Sequence, residues 1–335
     1  MAGQPTDRRP QAGDGRSRRD AVTLFRWRKD PVPAQRPDPE FSYLSADQGA
    51  RLRALVREAF AERGLEVTMH AGHVEAADGG RYGLTNVAAN CRASKERDWP
   101  KVIRSHVATI LRAAERTIDP DQLDSDEVMA HVFVRVVGTS TIPDLTAFGY
   151  RRDLGGDLVE LLALDFPESV AMLTDEVVSR FGVDDLRRAG VTNLVCEPFG
   201  NYEQVVRKDG TAFGVVLGES VYTASRLLTM DDVLRRTVRS VEAPYGVLVS
   251  VPFRHQLAFH VIRDATVVPA IESMAVFAAS GYGDGIGPVS PFLYWSHGGR
   301  LTQLSHPGED GGLRIEVDHE FAEVLADVGI TDDEP

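Results

Sequence analysis

Apolar residues first recur at helical spacing at Leu52, Leu55, Val56, Ala59 and Phe60. Ser45 and Gln48 precede them as an S-x-x-Q capping box, and Gly64 follows as a left-handed stop, so this stretch predicts a helix. Extended pieces are expected over 65–70 and 73–77, with Gly72 between them. A second helix should start near Asp98, because Pro100 is tolerated in a first turn, where its missing N–H has no helical partner. Its inner stripe is Ile103, His106, Val107, Ile110, Leu111 and Ala114. The valine-rich run 128–137, with Phe133 in its middle, predicts a buried strand.

The second half opens with an apolar strand over 157–165 that ends at Phe166-Pro167. Thr174 is placed to cap a helix through Phe181, with Asp175 and Glu176 at its positive end and Gly182 as its stop. A short helix over 185–189 follows, then strands near 203–207 and 211–217 hinged at Lys208-Asp209-Gly210. Helical spacing returns over 221–228, and Thr229 with Asp232 reads as a capping box for a helix to about Val241. Paired strands are expected over 245–251 and 256–262, and a helix over 268–279. Strands near 292–296, 300–305 and 313–317 and a closing helix over 318–327 complete the pattern. Helices and strands are mixed without a βαβ rhythm, which predicts an α+β fold with mainly antiparallel sheets.

Length and composition divide this pattern. At roughly 100–200 residues per domain, 335 residues predict two domains. The expected layout is a disordered leader over 1–40, rich in Arg, Asp, Gly and Pro, a mixed α/β lobe over 41–150 and a second over 151–318. A closing helix and acidic tail fill 319–335. Within the leader, Phe25-Arg26-Trp27-Arg28-Lys29 is an aromatic-basic patch suited to a weak contact with nucleic acid, anionic lipid or an acidic partner. Both halves carry a Thr-Asn-apolar triplet followed by a cysteine, Thr85-Asn86-Val87 and Thr192-Asn193-Leu194, which reads as a trace of two related lobes.

The formal net charge is −13, and the body has no cluster of Lys and Arg of the kind that displaces counterions from nucleic acid. The charge fits a basic protein partner better. No apolar run reaches the roughly 20 residues of a membrane span. Two distant cysteines, Cys91 and Cys196, suit a reducing compartment, so the expected location is the cytoplasm.

Candidate chemistry is sparse. No G-x-S-x-G, H-E-x-x-H or Walker sequence occurs. The glycine-dense run from Gly281 to Pro288 follows a helix instead of opening one, so it reads as a mobile connector and not as a phosphate cradle. His70 and His73 flank a tight turn and read as surface histidines; no metal and no cofactor are expected. His106 falls on an apolar helix stripe and reads as a half-buried histidine with one hydrogen bond, and Cys196 reads as a small core residue. In Val251-Pro252-Phe253-Arg254-His255, the proline marks a strand end where Arg254 can grip a carboxylate or phosphate with two prongs. Asp165 closes an apolar strand, a common place for a functional carboxylate.

The stretches Asp157-LVELLALDFPESVAMLTDE to Ala189-GVTNL, Glu219-SVYTASRLL, Tyr245-GVLVSVPFRHQL and Pro288-VSPFLYWSHGG, with Tyr82-GLTNV before them, resemble the YtpQ-like proteins of bacteria. The resemblance spans roughly residues 50–305 and implies a shared fold and a cytosolic role, but no reaction. His255 stands where that pattern would have an acid. Asp165, Asn193, Ser225, Arg254 and His255 are the candidate binding residues, and no catalytic residue is assigned. The leading expectation is a non-catalytic regulatory or protein-binding protein with an acidic surface. The alternative is a hydrolase-like enzyme with an inter-lobe site around Asp165 and Arg254.

Overall fold

The computed structural model describes residues 36–41, 43–77, 80–115, 124–142, 144–166, 169–208, 210–240, 242–308 and 312–330. The patch at 25–29 and the tail at 331–335 lie outside the described residues. The described chain belongs to one unit, Arg36–Pro335, so residues 36–40, expected within the leader, join the body. The reason is Asp38, whose carboxylate accepts the N–H groups of Glu40 and Phe41 and a guanidinium fork from Arg53.

The first region contains α1 (Ala46–Ala61), β1 (Val67–Met69), β2 (His73–Ala76), β3 (Arg81–Gly83), α2 (Thr85–Arg92) and α3 (Trp99–Glu115). The capping box forms, with Gln48 N–H donating to Ser45 Oγ and Ser45 N–H to Gln48 Oε1. Strands β1, β2 and β3 make an antiparallel sheet in that order. Leu52, Val56, Phe60, Val74, Val87, Trp99, Ile103 and Val107 form one buried cluster between helices and sheet.

Next come α4 (Ser125–His131), β4 (Val132–Gly138), β5 (Arg152–Gly155), β6 (Leu158–Phe166), β7 (Ser169–Met172), α5 (Asp175–Phe181) and α6 (Val183–Cys196). The strand expected from residue 128 begins only at Val132. Asp124 caps α4 by accepting from Glu127 N–H, and the first turn carries Asp126 and Glu127, so helix wins over the valine signal. Strand β6 pairs antiparallel with β4, β5 and β7. The β4–β6 ladder therefore crosses position 150, where a lobe boundary was expected.

Helix α6 is far longer than the expected 185–189 and lies close on β4. Gly190 permits this approach: a Cβ there would stand 2.8 Å from Val134 N. The two Thr-Asn triplets occupy opposite helix ends, the start of α2 and the finish of α6, so they are not equivalent parts of a repeat.

The remaining elements are β8 (Asn201–Val206), β9 (Ala212–Leu217), α7 (Met230–Thr237), β10 (Val247–Ser250), β11 (Gln256–Val261), α8 (Val267–Asp284), β12 (Leu293–His297), β13 (Arg300–Gln303), β14 (Ser305–Pro307), β15 (Leu313–Ile315) and α9 (His319–Asp327). Six of the strands form one antiparallel sheet in the order β13-β12-β10-β11-β9-β8. Helix α8 packs on it through Val267, Ala270, Ile271 and Met274, and α9 through Phe321, whose ring meets Trp295 at 4.9 Å.

Two local readings change. Thr229 makes no cap bond; Asp232 instead holds Arg236 Nε at 2.8 Å. Helix α8 runs five residues past Ala279, so Gly281 and Gly283 are helical and not part of a connector. Gly281 lets the helix press on Pro252, which a Cβ would meet at 2.9 Å. The architecture is α+β with antiparallel sheets.

Candidate functional site

Two of the five candidate residues serve the fold. Asn193 Nδ2 donates to the carbonyls of Met129 (2.9 Å) and Val132 (2.8 Å), closing the end of α4 from the last turn of α6. Ser225, buried in a 3-10 turn over Ala224–Thr229, accepts the Val136 N–H at 3.0 Å. That amide lies on the free edge of β4, so the hydroxyl replaces a missing strand neighbour.

Arg254 and His255 sit in the loop between β10 and β11. Arg254 Nε donates to His255 Nε2 at 2.9 Å. His255 must then carry its proton on Nδ1, which donates to the carbonyls of Gly218 (3.2 Å) and Ser220 (3.1 Å). Burial, and then the Arg254 charge, pull the imidazole below its ordinary pKa and keep it neutral. The histidine thus orients the guanidinium by its Nε and leaves the two Nη groups available. No carboxylate lies within ion-pair distance of Arg254 among the described residues.

The neighbour that sequence reasoning missed is Arg135. It interrupts the buried face pattern of β4, between Val134 and Val136. It lies over the Tyr222 ring at 5.8 Å, and Tyr222 stacks on Phe133 at 4.4 Å. Arg135 too has no carboxylate in ion-pair contact among the described residues. Burial lowers the pKa of both guanidinium groups, and the Arg135 charge lowers that of Arg254 further. Two like charges within electrostatic reach, both desolvated, are unfavourable unless something anionic joins them.

Elsewhere the molecule pairs its buried cations. Arg53 meets Asp38 at 2.8 Å, Arg187 meets Glu160 at 2.8 Å, and Arg226 faces Asp232 at 3.7 Å. Against that background Arg135 and Arg254, with no acid in ion-pair contact among the described residues, mark a candidate site.

Both arginines line a cleft of about 750 Å³. Its opposite wall is the first region: Tyr82, Thr85 and Asn86 at the start of α2, and His106 on α3. Helix α2 begins without a side-chain cap, because Leu84 stands at the cap position. Its positive end therefore meets the cleft, where an anion is favoured. Arg81 adds a third guanidinium, and Glu40 is the one acid on the wall among the described residues. Burial lowers the His106 pKa, so that ring is a neutral donor or acceptor.

Asp165 does not line this cleft. Burial, then the charge of Glu197, raise its pKa, while Arg135 and His131 oppose them. It joins the arginines electrostatically, through Arg135, and not by contact. The cysteines offer no nucleophile here. Burial pushes the Cys91 thiol up to about 12, and Cys196, expected in the core, is exposed at the end of α6. Both thiols are free.

His70 and His73, expected as isolated surface histidines, have Glu75 beside them. Among the described residues no helix is long and apolar enough to cross a membrane. No protein-family model, no curated protein and no solved structure matches the chain.

Proposed function

We propose that this is a non-catalytic binding protein that takes a small oxyanion, a phosphate or a carboxylate, into the cleft between Arg135 and Arg254. The observation that carries the reading is the pair of desolvated guanidinium groups with no acid in ion-pair contact among the described residues. Each offers a planar fork suited to a two-pronged oxyanion contact. The opposed α2 terminus adds a partial positive charge. The cleft volume, about 750 Å³, falls within the roughly 300–1,000 Å³ common for organic ligands.

The reading keeps the protein in the cytoplasm, supported by two free thiols. Kinship with the YtpQ-like proteins remains part of the proposal and rests on the order of the shared stretches. A basic protein partner rests on net charge alone, and the cleft does not favour it. The hydrolase-like alternative needs Asp165 beside Arg254 in one pocket, and Asp165 is not on the wall.

A thermal-shift panel tests the proposal with inorganic phosphate, pyrophosphate, dicarboxylates and nucleoside phosphates. A ligand that binds only the folded chain should stabilise it by about 2.7 kcal/mol at a hundredfold excess over Kd. At least one member should raise the midpoint of the wild-type protein and not that of Arg135→Met. A panel without effect at millimolar concentration overturns the reading.

A further inference from the structure

We propose that His70, His73 and Glu75 form a binding site for a divalent transition metal of the zinc class. The inference stands apart from the anion cleft and does not depend on it. The three residues belong to one hairpin. His70 follows β1, His73 opens β2, and the His70 N–H donates to the His73 carbonyl at 2.9 Å across the turn. Glu75 comes two residues after His73, so strand alternation puts both side chains on one face. Cross-strand pairing sets His70 beside His73 on that face.

The side chains converge as this backbone requires. The imidazoles stack with centroids 4.3 Å apart, His70 Nε2 stands 3.3 Å from Glu75 Oε2, and one donor atom from each residue lies within 4.8 Å of the others. A tetrahedral ion with bonds of roughly 2.1 Å holds its ligands about 3.4 Å apart. The His70–Glu75 spacing already meets that, and the His73 ring has to close in by a small side-chain rotation. His70 is exposed and His73 and Glu75 are half-buried, so such a rotation displaces no core packing, and water can fill a fourth position.

The donor set selects the metal. Two imidazole nitrogens and one carboxylate suit Zn2+, Co2+, Ni2+ or Cu2+, whereas Mg2+ and Ca2+ require oxygen ligands. Arg81 is the competitor, with a guanidinium nitrogen 3.9 Å from Glu75 Oε1. It is exposed and hydrated, so a doubly charged ion bonded directly to the carboxylate displaces it.

The test is a titration of the chelator-stripped full chain with Zn2+ against a chromophoric competitor, with Co2+ as a spectroscopic stand-in. One equivalent should bind at micromolar concentration or tighter, and Co2+ should give the visible absorption of a four-coordinate ion. His73→Ala and Glu75→Gln should each weaken binding by at least about tenfold, since even loss of an outer-shell partner costs that much. The exposed His319 on α9 is the control, and His319→Ala should leave the affinity unchanged. Mg2+ and Ca2+ should not compete. The proposal is overturned if no equivalent binds at micromolar concentration. It is equally overturned if both hairpin variants bind as the wild type does, or if His319→Ala loses the metal as they do.

Discussion

Ser225 supplies the only oxygen that the described structure offers to the Val136 amide, and both groups are buried. Ser225→Ala should therefore strand an N–H donor and lower stability by about 1–3 kcal/mol. Urea unfolding checks this, with a lower midpoint and an unchanged slope expected. Asp38 makes a different single-residue case. The Arg53 fork, opposed by burial and helped by two backbone amides, lowers its carboxyl from 3.8 to about 2. Because the folded pKa is depressed, the stabilisation is complete above the unfolded value and is lost as pH falls from about 4 towards 2. The loss should reach about 2 kcal/mol. Asp38→Asn should remove that part of the pH dependence, as urea midpoints between pH 2 and 5 would reveal.

Elements were legible where their signals are local. The capping box of α1, the apolar stripe of α3 and the strand runs of the large sheet appear where the pattern put them, because cap, periodicity and short apolar runs are properties of a short window. Misreadings arose where a distant neighbour decides. Residues 128–131 lead into a valine-rich run that looks like strand, but a cap at Asp124 and the Asn193 amide hold them in a helix. The glycines of α8 look like a connector, but Pro252 lies against Gly281. Gly190 gives the sharpest element-scale expectation. Its added Cβ would meet the backbone of Phe133 and Val134, which cannot yield as a side-chain tip would. Gly190→Ala should push α6 off β4 and cost about 1–3 kcal/mol, measured by thermal unfolding.

The candidate site was half legible for the same reason. Arg254 and His255 announced themselves beside a proline at a strand end. Arg135 did not, although a lone charge within Val-Phe-Val-Arg-Val-Val was a usable signal. What makes it a candidate is that no acid is in ion-pair contact with it among the described residues, and that is known only when the elements are assembled. Asn193 and Ser225 show the converse, polar residues in suggestive stretches that are consumed by the backbone.

At the scale of the molecule, a chain with a formal charge of −13 concentrates three arginines around one cleft. A net negative charge discourages anions in general, so on the proposed reading the cleft attracts its ligand by local field and fork geometry. The free protein bears the repulsion between Arg135 and Arg254, and on the proposed reading a bound oxyanion relieves it. Replacing one arginine by an apolar side chain of similar length should therefore leave the free protein as stable or more so while removing the binding advantage. Calorimetric titration of the full chain at low salt, with whichever of inorganic phosphate, pyrophosphate, a dicarboxylate or a nucleoside phosphate raises its midpoint most, tests this directly. The wild type should bind one equivalent, and Arg135→Met and Arg254→Met should each weaken it by about tenfold or more, since a hydrogen bond to a charged group is worth roughly 1.5–3 kcal/mol. Equal affinity in the wild type and both variants, or no heat in any of the three, would contradict the account.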